Sequence, residues 1–268
     1  MKKLITVIAL ALALTLSLAA CGAKDDAKTI TVGATPAPHA QILEVAKEIL
    51  AEEGYTLVIR EFDDYVLPNE AVEDGSIDAN YFQHITYMND FNAGSGTHLV
   101  GVANVHYEPL GIYGGKCTSL ADLPDGAQIA VPNDGPNGAR ALLLLQQEGL
   151  IRLKDGAGVN ATKSDIVENP HNYEIVEMEA RLLPTTLQDV HIAVINGNYA
   201  IDAGLKVSEA LAVEASDGMA AEAYVNILTV KEGNEKNEAI LALVKALQSE
   251  KVREFIVNTY GGAVVPLF

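Results

Sequence analysis

Apolar positions along this chain change period repeatedly, and each change predicts an element. Thr29–Val32 alternates as a strand, Ile42, Val45, Ala46, Ile49 and Leu50 recur at helical spacing, and Tyr55–Ile59 follows the helix stop Gly54 as a second strand. Strand, helix, strand in this order implies a parallel sheet with a right-handed crossover. A short helix is expected through Val72. Ser76–Asn80 then runs into Tyr81-Phe82-Gln83-His84, a strand ending in aromatic and imidazole groups. His98–Gly114 is strand-like throughout except at Glu108-Pro109, long enough to leave one compact unit and enter another.

A second series of such elements begins near Gly114. Its centre is Gln128–Leu150, QIAVPNDGPNGARALLLLQQEGL. Ile129–Val131 suits a strand buried on both faces, and Pro132 ends it. Asn133–Gly138 are loop formers, with Asn137 predicted as the N-cap of a helix over Gly138–Glu148, its Leu142–Leu145 run buried and Gly149 as the left-handed stop. Arg140 then falls in the first turn, at the wrong pole of the helix dipole for a cation unless an anion sits between guanidinium and free N–H groups. That pairing would receive a carboxylate or phosphate; the alternative is a side chain snorkelling into water. Farther on, Tyr173–Val176 is a strand and Leu182–Gln188 a short helix. His191–Ile195 is a buried strand that runs into Asn196-Gly197-Asn198, amides at the strand end where open α/β sheets bind ligands. Lys206–Gly218 shows no clear period. Tyr224–Val230 is a last strand carrying one amide, Asn226, followed by helices over Lys236–Gln248 and Glu250–Asn258.

Two series of αβ elements with a closing strand and helices predict a chain that crosses twice between two lobes. The expected division is residues 29–112 plus 226–268 for the first lobe and 113–225 for the second, each a mostly parallel sheet flanked by helices, with a hinged cleft between them. A single-domain arrangement is the alternative at 268 residues.

The N-terminus and the charge balance add a location. Met1–Cys21 has a basic start, an apolar stretch over Leu4–Leu18 and small residues before a cysteine, the pattern of a secretory signal peptide over residues 1–20. Its apolar run is short for a membrane span. Leu18-Ala19-Ala20-Cys21 resembles a bacterial lipobox, which implies that Cys21 is lipidated and that residues 21–28 tether the body to the extracytoplasmic face of a membrane. Without residues 1–20, 16 basic residues face 36 acidic ones, a formal charge of −20. That balance argues against nucleic acid and against attraction to anionic lipid, so the membrane is met through the anchor only. Cys117 is then the one other cysteine, expected as a free buried thiol.

No G-x-S-x-G, H-E-x-x-H, G-x-G-x-x-G or phosphate-loop pattern occurs, and no hydroxyl has a recognisable base partner. The six histidines are scattered; three meeting in a cleft would make a zinc receptor, although no acidic or cysteine ligand sits at a supporting spacing. What stands out is a set of amides at strand ends (Asn133, Asn137, Asn196, Asn226), Arg140, and the rings Tyr65, Phe82, His84, Tyr87, His106 and Tyr199. Amides and an arginine can hold an amino acid's ammonium and carboxylate, and aromatic surfaces favour an apolar or thioether side chain.

Tyr65-Val66-Leu67-Pro68-Asn69, Ile77–His84, Val131-Pro132-Asn133-Asp134 with Asn137 and Arg140, Ala193–Asn196 with Tyr199-Ala200, and Tyr224-Val225-Asn226 look like the methionine-binding lipoproteins of ABC importers. The match runs in order through nearly the whole mature chain. Gly135-Pro136 departs from the Pro-Thr pair of some members. The resemblance implies a two-lobed periplasmic-binding-protein fold, a monomer without cofactor or enzymatic activity, that closes on methionine or a close analogue and delivers it to a permease and ATPase. It further implies that Arg140 pairs with the substrate carboxylate, that Asn133, Asn196 and Asn226 hold its backbone groups with Asn137 nearby, and that the six rings line the side-chain pocket. A secreted lipoprotein hydrolase and a structural surface protein are the readings from other classes, beside the zinc receptor.

Overall fold

A computed structural model describes residues 28–215 and 222–268; the expected signal peptide, lipobox and most of the tether lie outside the described residues. The first series of elements is β1 (Thr29–Ala34), α1 (Gln41–Glu52), β2 (Thr56–Glu61), α2 (Leu67–Glu73), β3 (Ala79–His84), α3 (Ile85–Ser95) and β4 (Leu99–Tyr107). The second is β5 (Gly111–Gly114), β6 (Gln128–Pro132), α4 (Gly135–Gln147), β7 (Arg152–Leu153), β8 (Ile166–Glu168), β9 (Glu174–Met178), β10 (Ile192–Ile195), α5 (Gly197–Asp202) and β11 (Ala212–Val213). The chain ends with β12 (Asn226–Lys231), α6 (Glu238–Leu247), α7 (Glu250–Tyr260) and β13 (Val265–Pro266).

These strands form two main sheets. One has the order β13-β4-β12-β3-β1-β2, the other β11-β5-β10-β6-β9, and β7 pairs with β8 apart from both. β1 is parallel to β2 and to β3, whereas β12 returns antiparallel between β3 and β4. In the second sheet β10 is parallel to β6 and antiparallel to β5. The chain therefore leaves the first sheet at Tyr107, enters the second at Gly111, and returns through Tyr224-Val225. Gly111 and Ile112 pair with β10 and β11 and so lie in the second sheet.

Each sheet has its own core. Ile42, Leu43, Ala46 and Leu50 of α1 meet Ile240, Leu243 and Leu247 of α6 over Ile30, Val32 and Val230, all buried. Leu142, Leu144 and Leu145 of α4 cover Ile129, Val131, Ile192 and Val194 in the second lobe. At about 1.5–3 kcal/mol for each fully buried large aliphatic side chain, these clusters hold each lobe together without a disulfide. All four residues of β10 are buried because the strand is central in its sheet, which is why it reads as an unbroken apolar run.

The helix after β6 departs from expectation. Its N-cap is Asp134, whose side chain accepts the Asn137 N–H at 2.9 Å, so the helix starts at Gly135 with Pro136 in its first turn. Asn137 is inside the helix, and Arg140 stands in the second turn. The dipole argument for Arg140 therefore fails, since that effect fades within the first turn. Gly149 does take the left-handed conformation (φ +72°) just beyond the helix end. Cys117 is half-buried rather than enclosed, and the period-free stretch contains β11 followed by Glu214.

Candidate ligand site

The strand ends of both lobes converge on a cavity with about 330 Å³ of empty space. Tyr65, Phe82, Gln83, His84 and Tyr87 line it from the first lobe, and Asn137, Arg140, Asn196, Gly197 and Asn198 from the second. Glu108 and Asn226, one from each crossing between the sheets, complete the wall. No Ser, Thr or Cys is among these lining residues.

Arg140 is the deepest charge, with only 4% of its surface exposed. Its Nε donates to Glu214 Oε1 at 2.9 Å, and its Nη2 donates to Glu214 Oε2 at 2.6 Å and to the Glu108 carbonyl at 2.8 Å. The guanidinium also stacks 4.3 Å from the centre of the Tyr224 ring. It is thus neither solvated nor lone. Burial alone would lower its pKa, but Glu214 outweighs this and holds it above the usual arginine value. Nη1 makes no hydrogen bond to the described residues, leaving one fork of donors for an incoming acceptor on the cavity wall.

The amides are oriented by their neighbours. His84 Nδ1 accepts the Tyr87 N–H at 3.1 Å and caps α3, so Nε2 carries the proton and donates to Asn137 Oδ1 at 3.2 Å. Asn137 Oδ1 also accepts from Asn196 Nδ2 at 2.8 Å, while Asn137 Nδ2 donates to Asp134 Oδ1 at 2.8 Å. Asn196 Oδ1 is then left buried with no partner among the described residues. Such an orphan acceptor costs about 1–3 kcal/mol unless a donor arrives. Asn226 is the mirror case: its Oδ1 accepts from His39 Nε2 at 3.1 Å, so its unengaged end is the donor Nδ2. Burial pushes His84 down to about 3, keeping the imidazole neutral beside Arg140.

Rings form the remaining wall. Tyr65 packs against Phe82 (5.6 Å between centroids), Tyr87 (5.6 Å) and Tyr199 (5.0 Å). Tyr65 OH donates to Asn198 Oδ1 at 2.6 Å and Tyr199 OH to the Asp63 carbonyl at 3.0 Å, both between lobes.

Three expected ligand residues do not reach the cavity. Asn133 is exposed between the end of β6 and the Asp134 cap of α4, on an outer groove beside Tyr65 and Glu179. His106 is fully buried one layer behind the wall, with Nε2 at 2.6 Å from Glu108 Oε1. Tyr199 backs Tyr65 instead of lining the cavity. Glu108 and Gln83 line it without having been named as ligand residues, Gly197 and Asn198 line it from the strand end that the sequence pointed to, and Glu214 pairs with Arg140 behind it. Glu108 also joins His39 and His106 in a buried group of metal-ligand composition, its three ligand atoms within 4.8 Å. His106 and Glu108 are two residues apart in the chain, whereas His39 is brought to them only by the fold. Both imidazole Nε2 atoms already point at Glu108 Oε1, at 2.6 and 3.3 Å.

With this geometry in place, the comparisons become informative. The profile of the NlpA lipoproteins matches residues 30–268. The chain belongs to the NlpA lipoprotein family. Among family relatives, the D-methionine-binding lipoprotein MetQ of Escherichia coli K12 is 42% identical over 258 residues, covering 93% of this chain and 93% of that one. The membrane lipoprotein TpN32 of Treponema pallidum is 44% identical over 257 residues, 95% of this chain and 94% of the relative. Among solved structures, a nutrient-binding protein of Burkholderia cenocepacia bound to methionine superposes with a TM-score of 0.85 at 41% identity, over 89% of this chain and 100% of that one. The fold is thus the two-lobed periplasmic-binding-protein fold. Among the described residues no helix is long and apolar enough to cross a membrane.

Proposed function

We propose that this NlpA lipoprotein is a lipid-anchored, non-enzymatic receptor of an ABC importer, which closes on methionine between its lobes and hands it to a membrane permease driven by an ATPase. In this reading Cys21 carries the lipid on the extracytoplasmic face and the protein acts as a monomer. The observation that carries it is the polarity of the cavity. An orphan acceptor, Asn196 Oδ1, and two unengaged donor groups, Arg140 Nη1 and Asn226 Nδ2, converge beside a wall of rings. An amino-acid zwitterion satisfies this set: its carboxylate takes the donors and its ammonium supplies the missing donor to Asn196. Tyr65, Phe82, Tyr87 and the neutral His84 ring give an apolar, polarisable surface for a thioether.

The test is isothermal titration of the protein after unfolding, removal of carried-over ligand and refolding. Titrants are L-methionine, D-methionine, methionine sulfoxide, leucine and zinc chloride. Saturable one-to-one binding of a methionine enantiomer, tighter than leucine, is expected. Zinc binding without methionine binding sinks the proposal.

A further inference from the structure

Glu108 sits at the first crossing between the sheets, buried to 5% exposure, with its carboxylate on the cavity wall. One oxygen is fully engaged. His106 Nε2 lies 2.6 Å and His39 Nε2 3.3 Å from Oε1. The far nitrogens of both rings are occupied too: His39 Nδ1 meets Thr35 Oγ1 at 2.7 Å, and His106 Nδ1 meets the Tyr81 hydroxyl. With Glu108 ionised, one proton arrangement satisfies every member. Each hydroxyl donates to an Nδ1, and each Nε2–H donates to the carboxylate, His39 sharing its proton with Asn226 Oδ1 at 3.1 Å. Both imidazoles are therefore neutral donors and do not cancel the carboxylate charge. Burial pushes His39 down to about 4 and His106 down to about 3, and it also raises Glu108, an effect that the nearby Arg140 charge and the Asn198 backbone N–H oppose.

The other oxygen is held toward the second lobe. A Cβ built on Gly197 would lie 2.8 Å from Oε2 and 2.7 Å from the Glu108 Cβ, so the absent side chain at 197 is what lets the carboxylate reach this position. The remaining charges balance differently. Arg140 is matched by Glu214 at 2.6 Å, and His84 is neutral. Among the lining residues Glu108 is left as the one formal charge without an ionic partner.

We infer that Glu108 is the counter-charge for the ammonium of the ligand, acting with the orphan Asn196 Oδ1, and that His39 and His106 are positioning residues that fix its carboxylate. This rests on the proposed binding of an amino acid and deepens it: the cavity selects a primary ammonium by charge, whereas the carboxylate end finds hydrogen-bond donors on an arginine whose charge is already neutralised.

The experiment compares L-methionine with its deamino analogue, 4-(methylsulfanyl)butanoate, by isothermal titration against wild type, Glu108→Gln and Asn196→Ala. Wild type is expected to favour methionine by about 100-fold or more, the scale of an unpaired buried charge. Glu108→Gln is expected to reduce that ratio at least about tenfold while leaving affinity for the analogue within about threefold. An unchanged ratio in Glu108→Gln overturns the assignment. Wild-type protein that binds neither compound overturns methionine as the ligand, a distinct result. A measurement on the wild type covers the case of a variant that does not fold. In protein labelled with ¹³C-glutamate, methionine is expected to shift the Glu108 carboxyl resonance and the analogue to leave it in place, and equal shifts from both overturn the proposal.

Discussion

Removing the Arg140 charge separates what the residue does for the fold from what it does for the ligand. Arg140→Gln alone leaves Glu214, whose side chain is only 10% exposed, without its partner, and frees the Glu108 carbonyl from its 2.8 Å donor. Breaking a buried pair in this way costs about 3–5 kcal/mol of folding stability, so a loss of binding in the single variant is ambiguous. Replacing both charges, Arg140→Gln with Glu214→Gln, removes the stranded carboxylate, and most of the lost stability is expected to return because neutral amides can still bond to each other. The ligand carboxylate gains nothing from that repair. Methionine affinity should stay weaker than wild type by about 2–5 kcal/mol, roughly 30-fold to a few thousandfold in Kd. Calorimetric melting of the ligand-free proteins reads the first effect and isothermal titration the second. A double variant that melts near wild type and binds methionine within about threefold of it would refute the role given to Arg140.

Asn196→Ala removes both an acceptor that has no partner among the described residues and the Nδ2 bond to Asn137 at 2.8 Å, two effects of opposite sign, so stability should change by less than about 1 kcal/mol while methionine affinity falls by about 1–3 kcal/mol, checked by the same two methods. Tyr65→Phe deletes the 2.6 Å bond to Asn198 between the lobes and should weaken methionine binding by about 0.5–1.5 kcal/mol, again by titration. Gly197→Ala forces a Cβ to within 2.7 Å of Glu108 and should cost about 1–3 kcal/mol of stability on melting, together with weaker binding. Acid should unfold the protein through its buried imidazoles. His39, His84 and His106 have folded values of about 4, 3 and 3 against 6.5, so the unfolded chain binds protons that the folded one refuses. Their contribution is complete above pH 6.5 and is lost as pH falls toward those values, at about 1.4 kcal/mol per pH unit for each ring. Glu108, raised by burial, has the opposite sign and offsets part of this. A melting temperature that stays constant as pH drops from 6.5 to about 4 would refute neutral buried rings.

Elements with a strong period were legible in the chain, whereas sites built by register were not. The apolar run at β10 and the helical spacing of α1 and α6 fix those elements locally. Seven of the lining residues, Tyr65, Phe82, His84, Tyr87, Asn137, Asn196 and Asn226, are amides and rings that the sequence singled out, with Arg140 beside them. Asn133 lies between the end of β6 and the Asp134 cap of α4 and is exposed, a placement that its type and spacing did not reveal. Glu108 was hidden by its neighbour Pro109, which made it resemble a strand breaker. The one signal was its two-residue spacing from His106, which places it just past the end of β4 at Tyr107 with its carboxylate 2.6 Å from the His106 ring. Glu214 had no such signal. It lies past a two-residue strand in a stretch without pattern, and only the fold brings it 2.6 Å from a helix residue 74 positions earlier.

Under the proposed function, the division of labour between the lobes couples binding to closure. The second lobe holds Arg140 and Asn196, the first holds most of the ring wall, and Glu108 and Asn226 come from the two crossings. Neither lobe alone offers a zwitterion both its acceptors and its apolar wall. Direct bonds between lobes, Tyr65 to Asn198, His84 to Asn137 and Tyr199 to Asp63, are neutral, and each contributes only about 1 kcal/mol. They are opposed by the buried orphan at Asn196, whose cost of about 1–3 kcal/mol offsets much of the roughly 3 kcal/mol that the three bonds supply together. Protein groups alone thus leave the closed arrangement close to balance, and a ligand that satisfies Asn196 while meeting Arg140 and Asn226 favours it by its differential affinity for that arrangement. Under the proposed function, release is then expected to require that the lobes part, because the zwitterion would be held from both of them.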